Sequence, residues 1–231
     1  QSLMRGVFAR QPIAKGCAIA REDVFFAMPW QPGSLSSGEW EPGLVADKDY
    51  APLTPINDSL AKLEVTNEER VYRIMLQVKG MLNKARIFIG KDSSVEISHH
   101  YGLDRFREFG CVIIDCINRA YCKKLLIMLP RQKHPYHFHQ KKEETFQLLH
   151  GDLEVELEGK RHRLQPGDIV MVLPGEWHKF HTLHGAIFEE VSTTHFNDDS
   201  FYEDERIARL PRAQRKSEIP NWEAMVAAGL Y

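Results

Sequence analysis

The chain has 231 residues, 43% of them hydrophobic, and its 30 basic and 32 acidic residues give a net charge of −2. This balance indicates a soluble globular protein and argues against nucleic acid or an anionic membrane surface as a partner. The sequence has no apolar run of about 20 residues, no secretory signal pattern and no disulfide spacing among its cysteines, so we expect a protein of the reducing cytoplasm.

Glycine, proline and serine are frequent in the first 56 residues, and this density predicts a compact module of short strands and many turns. The strand-like segment Arg5-Gly-Val-Phe-Ala9 opens the module, and Ile13-Ala-Lys-Gly16 and Gly43-Leu-Val-Ala46 follow it. Together with Asp23-Val-Phe-Phe-Ala-Met-Pro29, these segments resemble the SAF, or antifreeze-like, domain. We therefore predict an SAF domain at residues 1–56.

SAF domains close sialic acid synthases, where they follow a TIM barrel that condenses phosphoenolpyruvate with an amino sugar. The resemblance implies that this chain, which opens at Gln1, is the C-terminal part of a larger synthase-like protein with an N-terminal barrel domain. Those synthases carry an Arg-Pro pair where this sequence has Met28-Pro29, and the arginine helps to hold the sugar. A docking or spacer role is therefore favoured for this module over sugar binding.

An amphipathic helix is predicted at residues 66–86, at the start of a second domain. Thr66 and Glu69 have the spacing of a capping box, in which each residue bonds to the backbone of the other. Apolar residues then recur at helical spacing on one face, which we expect to pack on the outside of the following β-structure. They are Val71, Ile74, Met75, Val78, Met81, Leu82 and Ala85.

Short segments of strand character dominate the chain after this helix, and turn signals such as Gly151-Asp152 and Pro166-Gly-Asp168 separate them. Many short antiparallel strands predict a mainly β sandwich or small barrel. The charged residues 213–231 are predicted to form a C-terminal tail, in which Trp222 to Leu230 could be a short helix. The strand-like segments are Ser94–Ser98, Cys111–Asp115, Lys124–Leu129, Leu153–Glu158, Ile169–Leu173 and Ala186–Val191.

Two histidines of one strand indicate a metal site. His137 and His139 project from the same side of a β-strand, where two imidazoles can share a divalent ion. Glu144 lies five residues after His139, and His178 follows a Pro-Gly turn further along the chain. The spacings H-x-H-x4-E-x6-G and G-x6-P-G-x2-H resemble the two motifs of the cupin superfamily.

Cupins are jelly-roll β-barrels with a metal inside. The resemblance implies a cupin barrel at residues 57–212 with His137, His139, Glu144 and His178 as ligands. Ligands of this kind suit Mn, Fe, Ni or Zn.

Lys142 lies two residues before Glu144, so both side chains point into the barrel if this stretch is extended. Burial and a neighbouring divalent cation would disfavour its charged form, which would suit proton transfer. The alternative is a solvated loop lysine. Glu189 and Glu190 face opposite ways in a strand, and alternation alone does not say which of them enters the pocket.

A second resemblance covers residues from about 70 to 212, which are similar to the D-lyxose ketol-isomerase family of cupins. It implies Mn(II), aldose–ketose interconversion through a cis-enediol, and Lys142 and Glu190 as the acid/base pair. Arg131, Gln132, His181 and Asp199 are the expected contacts to sugar hydroxyls, whereas His134, His150 and His162 are expected on the surface or in loops. The matching segments are Phe109-Gly110, Met128–Gln132, Lys142–Phe146, Gly175–His178, Glu190–Thr194, Asp198-Asp199 and Glu205–Pro211.

Two other functions stay open at this point. The barrel could bind a sugar as a regulatory or oligomerisation module without turnover, or it could be a cupin dioxygenase, because three histidines and a glutamate also hold Fe(II). We expect a small sugar or sugar derivative as the ligand. A homodimer is the expected assembly, since cupins are often dimers.

Overall fold

The structure, a computed structural model, describes residues 4–61 and 66–219. The chain divides into two compact units, and the division falls between Thr66 and Asn67. Within the described ranges, no helix has the length and apolar character that a bilayer-spanning segment needs.

The first unit is built from short elements and loops. Strands β1 (Gly6–Ala9) and β2 (Val24–Ala27) pair antiparallel, and a 3-10 turn at Arg21–Asp23 leads into β2. Isolated bridges such as that between Ile13 and Tyr50 hold the surrounding loops. The core is small and apolar, with Val7, Ala9, Ile13, Ile19, Val24, Leu35, Leu44, Ala46, Tyr50 and Ile56 buried. The assignment of residues 1–56 to the SAF domain stays a prediction.

The second unit opens with helix α1, which spans Asn67–Ala85. Ile74, Met75, Val78 and Leu82 on one face of α1 are buried. They pack against apolar residues on three strands of a large sheet, namely Val95, Ile97, Val112, Ile114, Leu125 and Ile127. The helix is therefore held by an apolar face, as its sequence periodicity indicates.

Two antiparallel sheets follow. Their strands are β3 (Ser94–Ser98), β4 (Cys111–Asn118), β5 (Tyr121–Met128), β6 (His137–Phe138), β7 (Glu144–Gly151), β8 (Leu153–Leu157), β9 (Lys160–Leu164), β10 (Ile169–Val172), β11 (His178–His181), β12 (Ala186–Thr193), β13 (Phe201–Tyr202) and β14 (Lys216–Ile219). The seven-stranded sheet has the order β10-β7-β12-β5-β4-β3-β14, and the five-stranded sheet has the order β13-β6-β11-β8-β9. The fold is mainly β, as predicted.

The space between the two sheets is apolar at one end. Leu126, Phe146 and Phe188 of the large sheet meet Val155 and Phe180 of the small one in a single buried cluster. The other end of the same space is lined by polar side chains, and the candidate site lies there. Burial of this apolar surface holds the two sheets face to face, and the polar end depends on that arrangement.

Gly151 ends β7 with φ of 88°. A Cβ at this position would lie 1.9 Å from the carbonyl oxygen of Gly185. Both the left-handed backbone and the close approach therefore require glycine here. This explains physically why a glycine follows Glu144 at that spacing.

The segment after Tyr202 forms two short helices, α2 (Glu205–Ala208) and α3 (Arg212–Arg215), and then β14, which pairs with β3 at the edge of the large sheet. The sequence predicted only a charged tail from residue 213. The sequence analysis missed strand β14 because this segment is charged. The charge of Lys216 is paired with the buried carboxylate of Glu96, which is remote in sequence. The helix predicted from Trp222 to Leu230 lies outside the described residues.

Candidate active site

Three buried histidines converge at the polar end of the barrel. His178 opens β11 and pairs directly in register with His137 of β6, and His139 follows two residues later. Each of the three imidazoles offers a nitrogen that lies within 4.8 Å of those of the other two. Such a cluster could hold one divalent ion.

Each of these imidazoles is anchored by a backbone carbonyl. The Nδ1 of His137 donates to the Pro135 oxygen at 3.0 Å, and that of His178 donates to the Glu176 oxygen at 3.1 Å. The Nδ1 of His139 donates to the carbonyl of Asp199. A carbonyl only accepts, so each proton sits on Nδ1 and each Nε2 keeps a free lone pair. This is the tautomer in which imidazoles bind metals.

Glu144 supplies a carboxylate beside two of these lone pairs. Its Oε2 lies 3.2 Å from Nε2 of His178, and its Oε1 lies 3.5 Å from Nε2 of His139. Glu144 Oε2 and His178 Nε2 are both buried and have no hydrogen-bond partner among the described residues. Because both atoms are acceptors in this tautomer, they cannot hydrogen-bond to each other, whereas a shared cation would satisfy both of them. The four predicted ligands therefore fit a divalent ion.

The protonation of the cluster also suits a cation. Burial, reinforced by the neighbouring His178 and His134 imidazoles, holds the pKa of His137 well below its ordinary value. Burial likewise lowers the pKa of His139, although the Glu144 carboxylate acts in the opposite direction. Burial raises the pKa of Glu144, but the Lys142 ammonium and His139 lower it by more. The neutral forms of His137 and His139 and the ionised form of Glu144 are thus favoured.

Lys142 and Glu190 form a buried pair next to the histidines. The Nζ of Lys142 donates to Oε1 of Glu190 at 3.1 Å, and it also contacts the carboxylate of Glu144. Ser192 donates to the same Glu190 oxygen at 2.9 Å. Of the two adjacent glutamates, Glu190 therefore faces inward, whereas Glu189 faces outward and pairs with Lys123 at 2.6 Å.

The charge on Lys142 differs from the sequence expectation. Burial lowers its pKa, but the Glu144 and Glu190 carboxylates raise it by more, so the pKa lies above its ordinary value. The expectation counted burial and a cation but not two neighbouring carboxylates. The two carboxylates thus favour the protonated form of Lys142, which can donate a proton or hydrogen bonds.

Asp199 supports the site from behind. Its buried carboxylate accepts the backbone amides of Gln140 at 3.0 Å, Lys141 at 3.1 Å and Lys142 at 3.0 Å. Its own carbonyl accepts the proton of His139 Nδ1. The sequence predicted a contact to sugar for Asp199, but its oxygens are occupied by the loop that carries the ligands. It is therefore a positioning residue.

The other three predicted sugar contacts lie apart from the site. Gln132 is buried, accepts the Leu129 amide at 2.6 Å and donates to the carbonyl of Phe106, so both ends of its side chain brace a turn. Arg131 is exposed in that turn. His181 points outward from β11 and lies 3.9 Å from Glu154. The cavity beside the clustered histidines is here called the histidine cavity. Among the described residues, its lining includes neither these three residues nor Asp199.

Several polar cavity residues escaped the sequence analysis. His134, expected on the surface, is buried against Phe180 with 4.5 Å between ring centres, and its Nε2 lies 3.2 Å from Nε2 of His100. Alternation along β5 could have found Lys124, because it shares the inward face with Leu126. No local pattern could have found the remaining ones. They are Ser98, His195, Ser200, Tyr202 and Lys216.

Comparison with known proteins agrees with this picture of the second unit. The model of the cupin domain matches residues 124–189. The D-lyxose/D-mannose isomerase of Thermosediminibacter oceani is 25% identical over 178 residues, which cover 64% of this chain and 98% of that protein. The D-lyxose ketol-isomerase of Thermofilum sp. is 29% identical over 161 residues, or 57% of this chain and 89% of that one.

Solved structures show the same fold. The L-ribose isomerase of Cellulomonas parahominis with L-ribose has a TM-score of 0.51 at 17% identity and covers 65% of this chain and 96% of its own. That of Acinetobacter sp. with L-ribose has a TM-score of 0.52 at 15% identity and covers 66% and 96%. The predicted cupin jelly roll is therefore confirmed, and the chain is similar in sequence to sugar isomerases.

Proposed function

We propose that the second unit is a divalent-metal sugar isomerase that interconverts an aldose and a ketose through a cis-enediol. One observation carries the proposal: three imidazole lone pairs converge within 4.8 Å beside a buried Lys142–Glu190 pair. A site for one metal ion next to a paired acid and base suits proton transfer beside a carbonyl. The names of the relatives supply the substrate class, a sugar with an open-chain carbonyl form.

The proposed ligands are His137, His139, His178 and Glu144, and we expect Mn(II), although Zn, Fe or Ni would also suit them. When bound, the ion would polarise the sugar carbonyl and stabilise negative charge on its oxygen. The carbonyl-anchored Nδ1 atoms keep the imidazoles oriented without the ion. This preorganisation is the contribution of the protein to metal affinity.

Glu190 and Lys142 would divide the proton transfers. The Glu190 carboxylate takes the proton from C2 of the aldose and returns it to C1. The Lys142 ammonium donates a proton to O1 and recovers one from O2, which leaves a ketone at C2. The Glu190 carboxylate beside it favours its protonated form before the first transfer. The hydrogen bond from Ser192 holds the Glu190 carboxylate in place.

The experiment compares two adjacent glutamates. Chelator-stripped protein is reloaded with Mn(II) and incubated with D-lyxose or D-mannose, and the ketose is quantified. We expect Glu190→Gln and Lys142→Met to lower kcat by about 10²-fold or more. Glu189→Gln, the matched outward-facing control, should leave kcat unchanged.

Other results would favour other functions. Failure of every pentose, hexose and amino sugar tested to isomerise would contradict the proposal and favour a sugar-binding module. Oxygen consumption with Fe(II) would favour a dioxygenase.

We also propose that the first unit is an SAF domain and that the chain is part of a sialic-acid-synthase-like protein that forms a homodimer. The support is the match of four short segments to that domain and the loop-rich character of the unit. The mass of the native polypeptide tests whether the chain is part of a larger protein, and light scattering tests whether it is a homodimer. A native product of only 231 residues, or a monomer, would contradict these two statements respectively.

A further inference from the structure

The histidine cavity has a second polar region that the proposed reaction does not use. Ser98, Lys124, His195 and Lys216, here called the basic lobe, line the same cavity as the three histidines. Lys216 of β14 pairs in register with Ser98 of β3, and Lys124 of β5 is the direct neighbour of Glu190 on β12. The basic lobe thus adjoins the proposed acid/base pair.

The basic lobe holds more hydrogen-bond donors than the protein uses. Lys216 donates to Glu96 at 2.6 Å and Lys124 pairs with Asp115 at 3.3 Å, and each ammonium has this one carboxylate partner in the part of the chain that the structure describes. An ammonium has three N–H donors. The buried Nδ1 of His195 also has no partner among the described residues. Lysines are almost never fully buried unless they are paired, and here each pair leaves N–H donors of the ammonium unused.

The charges around the cavity also bear on its ligand. Three lysines line it, Lys124, Lys142 and Lys216, with the carboxylates of Glu144 and Glu190, while Asp115 and Glu96 pair with Lys124 and Lys216. These groups nearly balance, and a divalent ion at the histidines would add two positive charges and leave the net charge positive. Burial lowers the pKa of His195 to about 3, and the cations of Lys124, Lys142 and Lys216 lower it further. With the ion bound, the cavity therefore favours a ligand that carries negative charge.

We propose that the sugar bound here carries an acidic group, a carboxylate or a phosphate, which the basic lobe binds through Lys124 and Lys216. This inference rests on the proposed function and specifies its substrate class. Glu96 and Asp115 would hold the two ammonium groups in place, and the remaining N–H donors would contact the acidic group. Charge-assisted hydrogen bonds of this kind are stronger than those to a neutral hydroxyl.

The test is calorimetric titration of the Mn(II)-loaded full chain with two matched pairs of sugars. The pairs are D-glucose with D-glucuronate and D-mannose with D-mannose 6-phosphate. We expect at least one acidic sugar to bind about tenfold or more tightly than its neutral partner. A preference for glucuronate would identify a carboxylate as the group, and a preference for the 6-phosphate would identify a phosphate.

Substitutions test whether the basic lobe causes the preference for the acidic sugar. Lys124→Met and Lys216→Met should each remove most of the preference, whereas Lys124→Arg keeps the charge and should retain it. Lys123→Met, on the same strand but pointing outward, is the matched control and should change nothing. A preference that survives both methionine variants would overturn the proposal.

The comparison of wild-type affinities does not depend on the folding of any variant. Equal binding within each pair, or no binding of any of the four sugars, would overturn the inference. Turnover of neutral sugars without such a preference would leave the proposed function standing and remove only this inference. A preference without turnover would retain the acidic-ligand site and contradict the isomerase.

Discussion

At the scale of single residues, the site contains two acceptor atoms that cannot hydrogen-bond to each other. Glu144 Oε2 and His178 Nε2 are 3.2 Å apart, both are acceptors, and burial denies both of them water. Leaving such atoms unpaired costs about 1–3 kcal/mol each. A bound cation would remove this cost, so the arrangement is more stable with an ion than without one.

Asp199 gives a test of positioning. Asp199→Ala removes the acceptor of three loop amides, and we expect it to weaken metal affinity by about 10–100-fold, because a group that orients ligands is lost. Affinity is measured by competition with a chromophoric chelator. Asp198→Ala, at the exposed neighbouring position, should match the wild type. An unchanged affinity in Asp199→Ala would contradict the positioning role.

The buried histidines predict how stability depends on pH. Burial is the largest cause that lowers the pKa of His134, to about 3, and burial also lowers the pKa of His100 and His137. Below an unfolded-state pKa of about 6.5, the unfolded chain binds protons that the folded chain refuses, so stability falls as pH falls. Each such histidine contributes up to about 1.4 kcal/mol per pH unit in this window.

Urea unfolding of the chelator-stripped protein between pH 6.5 and 5 measures the slope of the unfolding free energy against pH. This pH range lies above the one in which most carboxylates titrate. His134→Gln should make the slope shallower. His162→Gln, at an exposed position, should leave it as in the wild type. A slope that His134→Gln does not change would show that this histidine is protonated in the folded protein.

At the scale of elements, helix α1 stabilises the large sheet from outside. Leu82 is 2% exposed in the cluster beneath the helix, whereas Leu76 on the other face is 41% exposed. The helix thus protects the outer face of β3, β4 and β5, the strands whose inner faces carry Ser98 and Lys124. The outer faces of these strands therefore pack against the helix, and their inner faces carry polar residues of the cavity.

The two leucines provide a matched pair. Leu82→Ala should lower the free energy of unfolding by about 2–5 kcal/mol, because it leaves a cavity in a packed cluster. Leu76→Ala should change it by less than about 0.5 kcal/mol. Chemical denaturation followed by circular dichroism measures both values. Similar losses in the two variants would mean that α1 does not pack by this face.

At the scale of the whole molecule, local patterns predict the strands and long-range pairing decides the site. Alternation was enough for His137 and His139, and the cupin spacing added Glu144 and His178. It could not choose between Glu189 and Glu190, because that choice depends on which face of β12 meets the other sheet. Asp199 contacts His139 from 60 residues further along the chain, and Lys216 pairs with Glu96 across 120 residues, so no local pattern could assign their contacts.

The central claim is that one divalent ion is held by three imidazoles and a carboxylate. The direct measurement is elemental analysis of chelator-stripped protein after reloading with excess Mn(II) or Zn(II) and desalting. We predict about one ion per chain, little or none in His137→Ala/His178→Ala, and a full equivalent in the control His181→Ala. A wild type that retains no ion, or a double variant that retains a full equivalent, would contradict the account.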